Sequence, residues 1–168
     1  MEYVTILISL LLLVIILLRK KRRFLEPYEA VTSLLTSAEQ RFYRALQSIL
    51  GEQVIILAKV RVADLMNVKS SISGKSFWKH FSRISQKHVD FVILDSQKFT
   101  TLCLIELDDK SHNNPERIKR DRFIDRITIQ TGLPLYRIPV QSNYNMLKLS
   151  GIIQSLIRKH SIQCIRNK

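Results

Sequence analysis

At 168 residues the chain has room for one domain with a real core plus an appendage, and not for two full domains. Its two cysteines, Cys103 and Cys164, show no C-x-x-C or Cys/His spacing, which argues against a zinc site or a disulfide framework. Lys and Arg outnumber Asp and Glu by 27 to 14, and with residues 1–23 set aside the remainder still carries 22 cations against 13 anions, a balance suited to a polyanion such as nucleic acid or an anionic lipid surface.

Tyr3 to Leu18 is uncharged and mostly Leu, Ile and Val. As a helix these residues extend about 24 Å, slightly short of the roughly 30 Å hydrocarbon core. Local thinning and snorkelling of Arg19 and Lys20 can cover the difference. A cleaved signal peptide would carry cations before the apolar run, whereas here Glu2 precedes it and Arg19, Lys20, Lys21, Arg22 and Arg23 follow. The reading is therefore an N-terminal transmembrane anchor with a basic flank over residues 1–23. The positive-inside rule then puts the rest of the chain on the cytoplasmic side of the inner membrane.

A linker over 24–33 contains Pro27, and the domain is expected over 34–168. Thr36-Ser37-Ala38-Glu39 has the form of a capping box, and Phe42, Ala45, Leu46, Ile49 and Leu50 then recur at helical spacing up to Gly51. Val54 to Val62 reads as a strand interrupted on one face by Lys59 and Arg61. Residues 66–76 read as a loop, and a short helix carries Phe77, Phe81 and Ile84. Val89 to Leu94 and Thr101 to Leu107 read as strands joined as a hairpin. A charged helix from Pro115 to about Gln130 ends at Gly132. A strand from Leu133 to Val140 and a closing helix from Met146 to Arg158 complete an α-β-(α)-β-β-α-β-α order, with Leu149, Ile152, Ile153 and Leu156 expected on one side of that helix.

The third strand runs into Glu106-Leu107-Asp108-Asp109-Lys110-Ser111-His112. In an extended chain alternate residues share a face, so Glu106, Asp108, Lys110 and His112 project together if extension persists. Adjacent acids are costly unless a cation or several donors compensate them. Phosphodiester hydrolysis uses such a cluster, because carboxylates bind a divalent ion that activates water and neutralises charge on the phosphate. A hairpin partner strand brings Asp90 towards Glu106. Taken singly, Asp90, Asp108 and Asp109 also suit strand-end turns.

Asp90, Glu106-x-Asp108 with Lys110 and His112, Arg120-Asp121 and Gly132-Leu133-Pro134-Leu135-Tyr136-Arg137-Ile138 together resemble the PD-(D/E)xK restriction-endonuclease-like superfamily. Within it the sequence is most similar to an uncharacterised bacterial branch near the very-short-patch-repair-like endonucleases. The likeness runs over roughly residues 34 to 140. It implies an α/β fold with a mixed sheet flanked by helices, and a Mg²⁺ or Mn²⁺ ion held by Asp90, Glu106 and the main-chain carbonyl of Leu107. It implies cleavage of DNA, with a catalytically inactive nucleic-acid-binding or regulatory module as the alternative. Glu39 matches an acidic position that assists the metal in many members, and it equally fits the capping box. The superfamily's lysine stands two residues after the second acid, where this chain has Asp108. Two registers remain, Glu106-x-Asp108 with Asp108 replacing the lysine and Asp108-x-Lys110 as a shifted motif.

His112 is a candidate acid/base or phosphate contact. Arg61, Lys110, Arg120 and Arg137 are candidate nucleic-acid contacts. The alternatives are that Arg120 pairs with a nearby helix carboxylate and that Arg137 pairs with Asp95 or Asp109.

Overall fold

The computed structural model describes residues 1–20, 27–108 and 115–155. Lys110, His112, Leu156 and the last residues of the expected closing helix lie outside them. By its internal contacts the chain divides into two units, residues 1–34 and 35–168.

In the first unit, helix α1 (Glu2–Lys20) carries apolar side chains exposed all round from Tyr3 to Ile16. The Thr5 and Ser9 hydroxyls are satisfied within the helix, Thr5 Oγ1 donating to the Glu2 carbonyl at 2.7 Å and Ser9 Oγ to the Thr5 carbonyl at 2.9 Å. Among the described residues no helix is long and apolar enough to cross a membrane.

The second unit is a mixed α/β fold, a four-stranded sheet flanked by helices. Helix α2 (Ser37–Ile49) starts at the expected capping box, with Thr36 Oγ1 accepting from the Glu39 N–H and Glu39 Oε2 accepting from the Thr36 N–H. Strand β1 (Val54–Arg61), a one-turn helix α3 (Val62–Leu65), helix α4 (Gly74–Ser85), strands β2 (His88–Asp95) and β3 (Thr101–Asp108), helix α5 (Pro115–Thr131) and strand β4 (Leu135–Pro139) follow. A last helix, α6, begins at residue 146 and is described through 155. Strands β1, β2 and β3 form an antiparallel meander, and β4 lies parallel to β3 after the α5 crossover. Gly132 ends α5 with a left-handed φ of 70°, the position where a side chain would be strained.

Two cores result from burying both faces of this sheet. Phe42, Ala45 and Leu46 of α2 and Leu149 and Ile153 of α6 pack with Phe91, Ile93, Cys103, Ile105 and Leu107. Val62, Ile84 and Ile124 pack with Val89, Val92 and Leu104. Burial on both sides explains why β2 and β3 read as nearly continuous apolar runs rather than alternating ones. Ile152 departs from the expectation for α6, being 41% exposed. The buried face is set by the i, i+4 pair Leu149 and Ile153, and position 152 lies off that line.

Candidate active site

The charged site sits where the side-chain alternation of two strands breaks. Ile56 and Ala58 pack into the first core but Val60 into the second, and on the neighbouring strand Phe91 and Ile93 pack into the first but Val89 into the second. Strict alternation would keep each set on one face. The change falls at Lys59 on β1 and Asp90 on β2, between the ladder pairs Ala58↔Phe91 and Val60↔Val89. Lys59 has a left-handed backbone, φ 55°, a conformation that costs a residue with a side chain about 1–2 kcal/mol. Such strain persists only where surrounding contacts over-determine it.

Those contacts are ionic. The Lys59 ammonium donates to Glu39 Oε1 in a short ion pair and lies 3.3 Å from Asp90 Oδ1. Burial works to lower the Lys59 pKa, but the Glu39 and Asp90 carboxylates outweigh it and hold the ammonium charged. Burial likewise works to raise Glu39, and the Lys59 hydrogen bond with the Thr36 amide and hydroxyl brings it below the usual carboxylate value. Glu39 therefore closes the capping box through Oε2 while Oε1 pairs with the Lys59 ammonium.

Glu106 holds the centre. It stands on β3 one rung beyond the Phe91↔Ile105 pair, which sets it across from Asp90, and its Cα partner on β4 is Arg137. It is 5% exposed. Oε2 accepts from Arg120 at 3.3 Å, whereas Oε1 is buried with no hydrogen-bond partner among the described residues. Burial, helped by the negative charge of Asp90 and opposed by Arg120 and Arg137, pushes the Glu106 carboxyl up to about 7. Asp90 Oδ2 accepts the Leu107 N–H at 2.9 Å. An extended residue directs its N–H and C=O towards the same neighbouring strand, so the Leu107 carbonyl belongs on the Asp90 side of β3.

The expected residues separate into three groups. Glu39, Asp90, Glu106, Leu107 and Arg120 converge on the site. Arg120 reaches the acidic cluster, its guanidinium 3.3 Å from Glu106 Oε2. Arg137 stands beside Glu106 in register but is braced by α5, at 3.0 Å from Asp125 and 3.7 Å from Asp121 rather than by Asp95, while Asp109 lies outside the described residues. Arg61 is not part of the cluster. It lies exposed at the end of β1, where its guanidinium grips Asp64 three residues on, at 2.7 and 3.2 Å. Asp108 ends the parallel ladder opposite Pro139 and accepts the Val140 N–H on its carbonyl at 3.0 Å. Lys110 and His112 lie outside the described residues.

Lys59 is the residue that reasoning from the sequence missed. Its signal was present as a cation inside a β-branched strand, where a charge is retained only if paired. What was absent was any way to know that β1 pairs with β2 in the register that sets position 59 across from Asp90.

The residues that could hold a hard divalent cation are acidic and carbonyl oxygens. Mg²⁺ uses one or two carboxylates and keeps several waters. Asp90 and Glu106, whose Oε1 has no hydrogen-bond partner among the described residues, are two such carboxylates, and the Leu107 carbonyl adds a third oxygen. No group of three or more His, Cys, Asp or Glu side chains suited to a metal occurs among the described residues, so any such ion would depend on water for the rest of its coordination.

No curated protein and no solved structure matches the chain. A family model described as a protein of unknown function (DUF2726) matches residues 31–156, from the linker ahead of α2 into α6, and the chain belongs to this family.

Proposed function

We propose that the chain is a metal-dependent phosphodiesterase of restriction-endonuclease-like fold acting on DNA at the membrane, with Asp90 and Glu106 as the acidic pair. The observation that carries the reading is the buried Oε1 of Glu106 beside Asp90, without a hydrogen-bond partner among the described residues. An uncompensated buried carboxylate oxygen costs about 1–3 kcal/mol, and a structural residue has no reason to retain it. A bound Mg²⁺ or Mn²⁺ would satisfy that oxygen and supply an activated water and positive charge for the scissile phosphate.

The remaining residues have distinct roles in this reading. Lys59 supplies the cation that the motif lacks at position 108. Its ammonium, already held between Glu39 and Asp90, can turn from Asp90 to a phosphate oxygen when the carboxylate takes up the ion. Arg120 and Arg137 place two guanidiniums around Glu106 and keep its charge tolerable once the proton leaves. Glu39 is a positioning residue, fixing Lys59 through a helix cap.

Incubating the full chain with DNA and Mn²⁺, Mg²⁺ or EDTA tests the proposal. Asp90→Ala and Glu106→Ala are expected to abolish metal-dependent cleavage, and Lys59→Met to reduce it about a hundredfold, within the usual contribution of a positioned proton-transfer or electrostatic group. Equal cleavage by the wild type and the two acid variants would reject the assignment.

A second reading, an inactive nucleic-acid-binding scaffold, is favoured by one feature. Lys59 already neutralises Asp90 and Glu39, so the site is partly compensated without a metal. That scaffold would bind nucleic acid with ordinary salt dependence and show no affinity for Mn²⁺.

Membrane attachment belongs to the same proposal. Helix α1 exposes its apolar side chains and turns the Thr5 and Ser9 hydroxyl hydrogens onto its own carbonyls, which suits a lipid environment. Deletion of residues 1–23 is expected to move the protein from the membrane pellet to the soluble fraction. A truncated chain that still pellets with membranes would contradict the anchor.

A further inference from the structure

Between Asp64 and Asp90 the chain has no acidic residue and five cations, Lys69, Lys75, Lys79, Arg83 and Lys87. Lys75, Lys79 and Arg83 recur every fourth residue on α4, so they stack along one line of the helix over about 12 Å. All three are exposed, and none is ion-paired among the described residues. Beside this line Trp78, the only tryptophan of the chain, is 66% exposed. It is not loose. Phe77 and Phe81 hold it edge to face, at 5.3 and 5.9 Å between ring centroids and close to perpendicular. Most of this ring is left in solvent, beside cations that have no ion pair among the described residues.

The line leads to the site. The Arg83 guanidinium lies 4.2 Å from the centre of the Phe123 ring on α5, with the Lys87 ammonium 5.7 Å from the same ring. Phe123 is one turn from Arg120, whose guanidinium binds Glu106. Cations thus stand at both ends of the route from α4 over Phe123 to Glu106, Arg83 and Lys87 at one and Arg120 at the other, and Lys87 is three residues ahead of Asp90 on the chain.

We propose that α4 is a loading surface for single-stranded nucleic acid, with Trp78 stacking on an unpaired base and Lys75, Lys79 and Arg83 following the phosphates towards Glu106. The inference rests on the phosphodiesterase reading and adds the strand form of the substrate. Backbone cations with an exposed aromatic ring form a general single-strand platform, since every base offers a π-face while a duplex hides it. Aromatic and cationic residues also suit an anionic membrane surface. The route over Phe123 to Arg120 and Glu106 favours the polynucleotide, because a lipid surface gains nothing from a route to that carboxylate.

The test titrates the full chain, in nonionic detergent and EDTA, with an oligothymidylate of about 20 nucleotides, long enough to exceed a typical single-strand site. Because Trp78 is the only indole, its emission reports this surface alone. Stacking is expected to quench the emission, and log Kobs to fall with log salt at a slope of about −2, as three phosphate contacts require. Trp78→Ala is expected to weaken binding about tenfold. The triple variant Lys75→Gln, Lys79→Gln, Arg83→Gln is expected to lose most of the salt slope while melting at the wild-type temperature.

Emission unmoved at saturation, or a triple variant that binds as tightly as the wild type, overturns the proposal. So does a duplex of the same length that binds and quenches equally, or an emission shift produced by vesicles containing phosphatidylserine and not by the oligonucleotide. Without metal the titration is independent of cleavage. Intact binding with no Mn²⁺-dependent cleavage would reject the phosphodiesterase reading alone, and cleavage of single strands undiminished in the triple variant would reject this one alone.

Discussion

Phe91 and Ile105 face each other across β2 and β3, and one rung further along the same two strands stand Asp90 and Glu106. The first pair is fully buried, with Phe42 packing on Phe91 at 5.4 Å between ring centroids. The second pair is nearly as enclosed at Glu106 but carries two acids, a buried oxygen without a partner among the described residues, and cations on either side. The backbone is the same ladder in both places, so the apolar rung fixes the geometry that the charged rung needs. Precise placement of repelling carboxylates requires a rigid support that the carboxylates themselves cannot provide. Packing therefore dominates at one rung and electrostatics at the next, and substitutions should separate the two.

The largest effect on stability is expected at the apolar rung. Phe91→Ala removes a ring from the centre of the first core and should destabilise the fold by about 3–5 kcal/mol, read from the urea midpoint. At the charged rung the sign reverses. Glu106→Gln keeps the shape but removes the costly charge, and should stabilise the metal-free protein at pH 8 by on the order of 1–3 kcal/mol. The same variant should be inactive.

The pH dependence follows from the same group. The Glu106 carboxyl is raised from 4.5 to about 7, so between these values the folded state holds a proton that the unfolded state has lost. Stability should fall as pH rises through that window and level off above it. Melting of the metal-free wild type from pH 5 to pH 8 should show this decline, and Glu106→Gln should flatten it. A wild-type curve that rises steadily across the window would contradict the protonated state of Glu106.

Smaller changes sharpen the contrast. Thr36→Ala breaks the capping box and should cost about 1 kcal/mol. It should also lower activity, because Glu39 then holds Lys59 less firmly. Arg61→Ala cuts an exposed pair with Asp64 that faces neither core nor site, and should leave both the urea midpoint and DNA binding unchanged.

These differences also mark what the sequence made legible. Elements governed by local chemistry were readable: the capping box at Thr36, the helical spacing of Phe42, Ala45 and Leu46, the apolar runs of β2 and β3, and the stop at Gly132. The acidic pair was readable too, since a carboxylate at the end of an apolar strand is conspicuous. Lys59 was not, because its meaning depends on the β1–β2 register and on a backbone reversal that no local pattern announces. The partners of Arg137 were also hidden, as Asp121 and Asp125 reach it only through the crossover of α5. Ile152 shows the same limit on a smaller scale, where periodicity alone misjudged which edge of α6 meets the core.

Calorimetric titration of the full chain with Mn²⁺ at pH 6 and pH 8 tests the central claim most directly. The account predicts binding by the wild type that tightens about tenfold between these values, because Glu106 must give up its proton to take the ion. It predicts loss of that binding in both Asp90→Asn and Glu106→Gln. A wild type with no affinity for Mn²⁺, or binding unchanged in both variants, would contradict it.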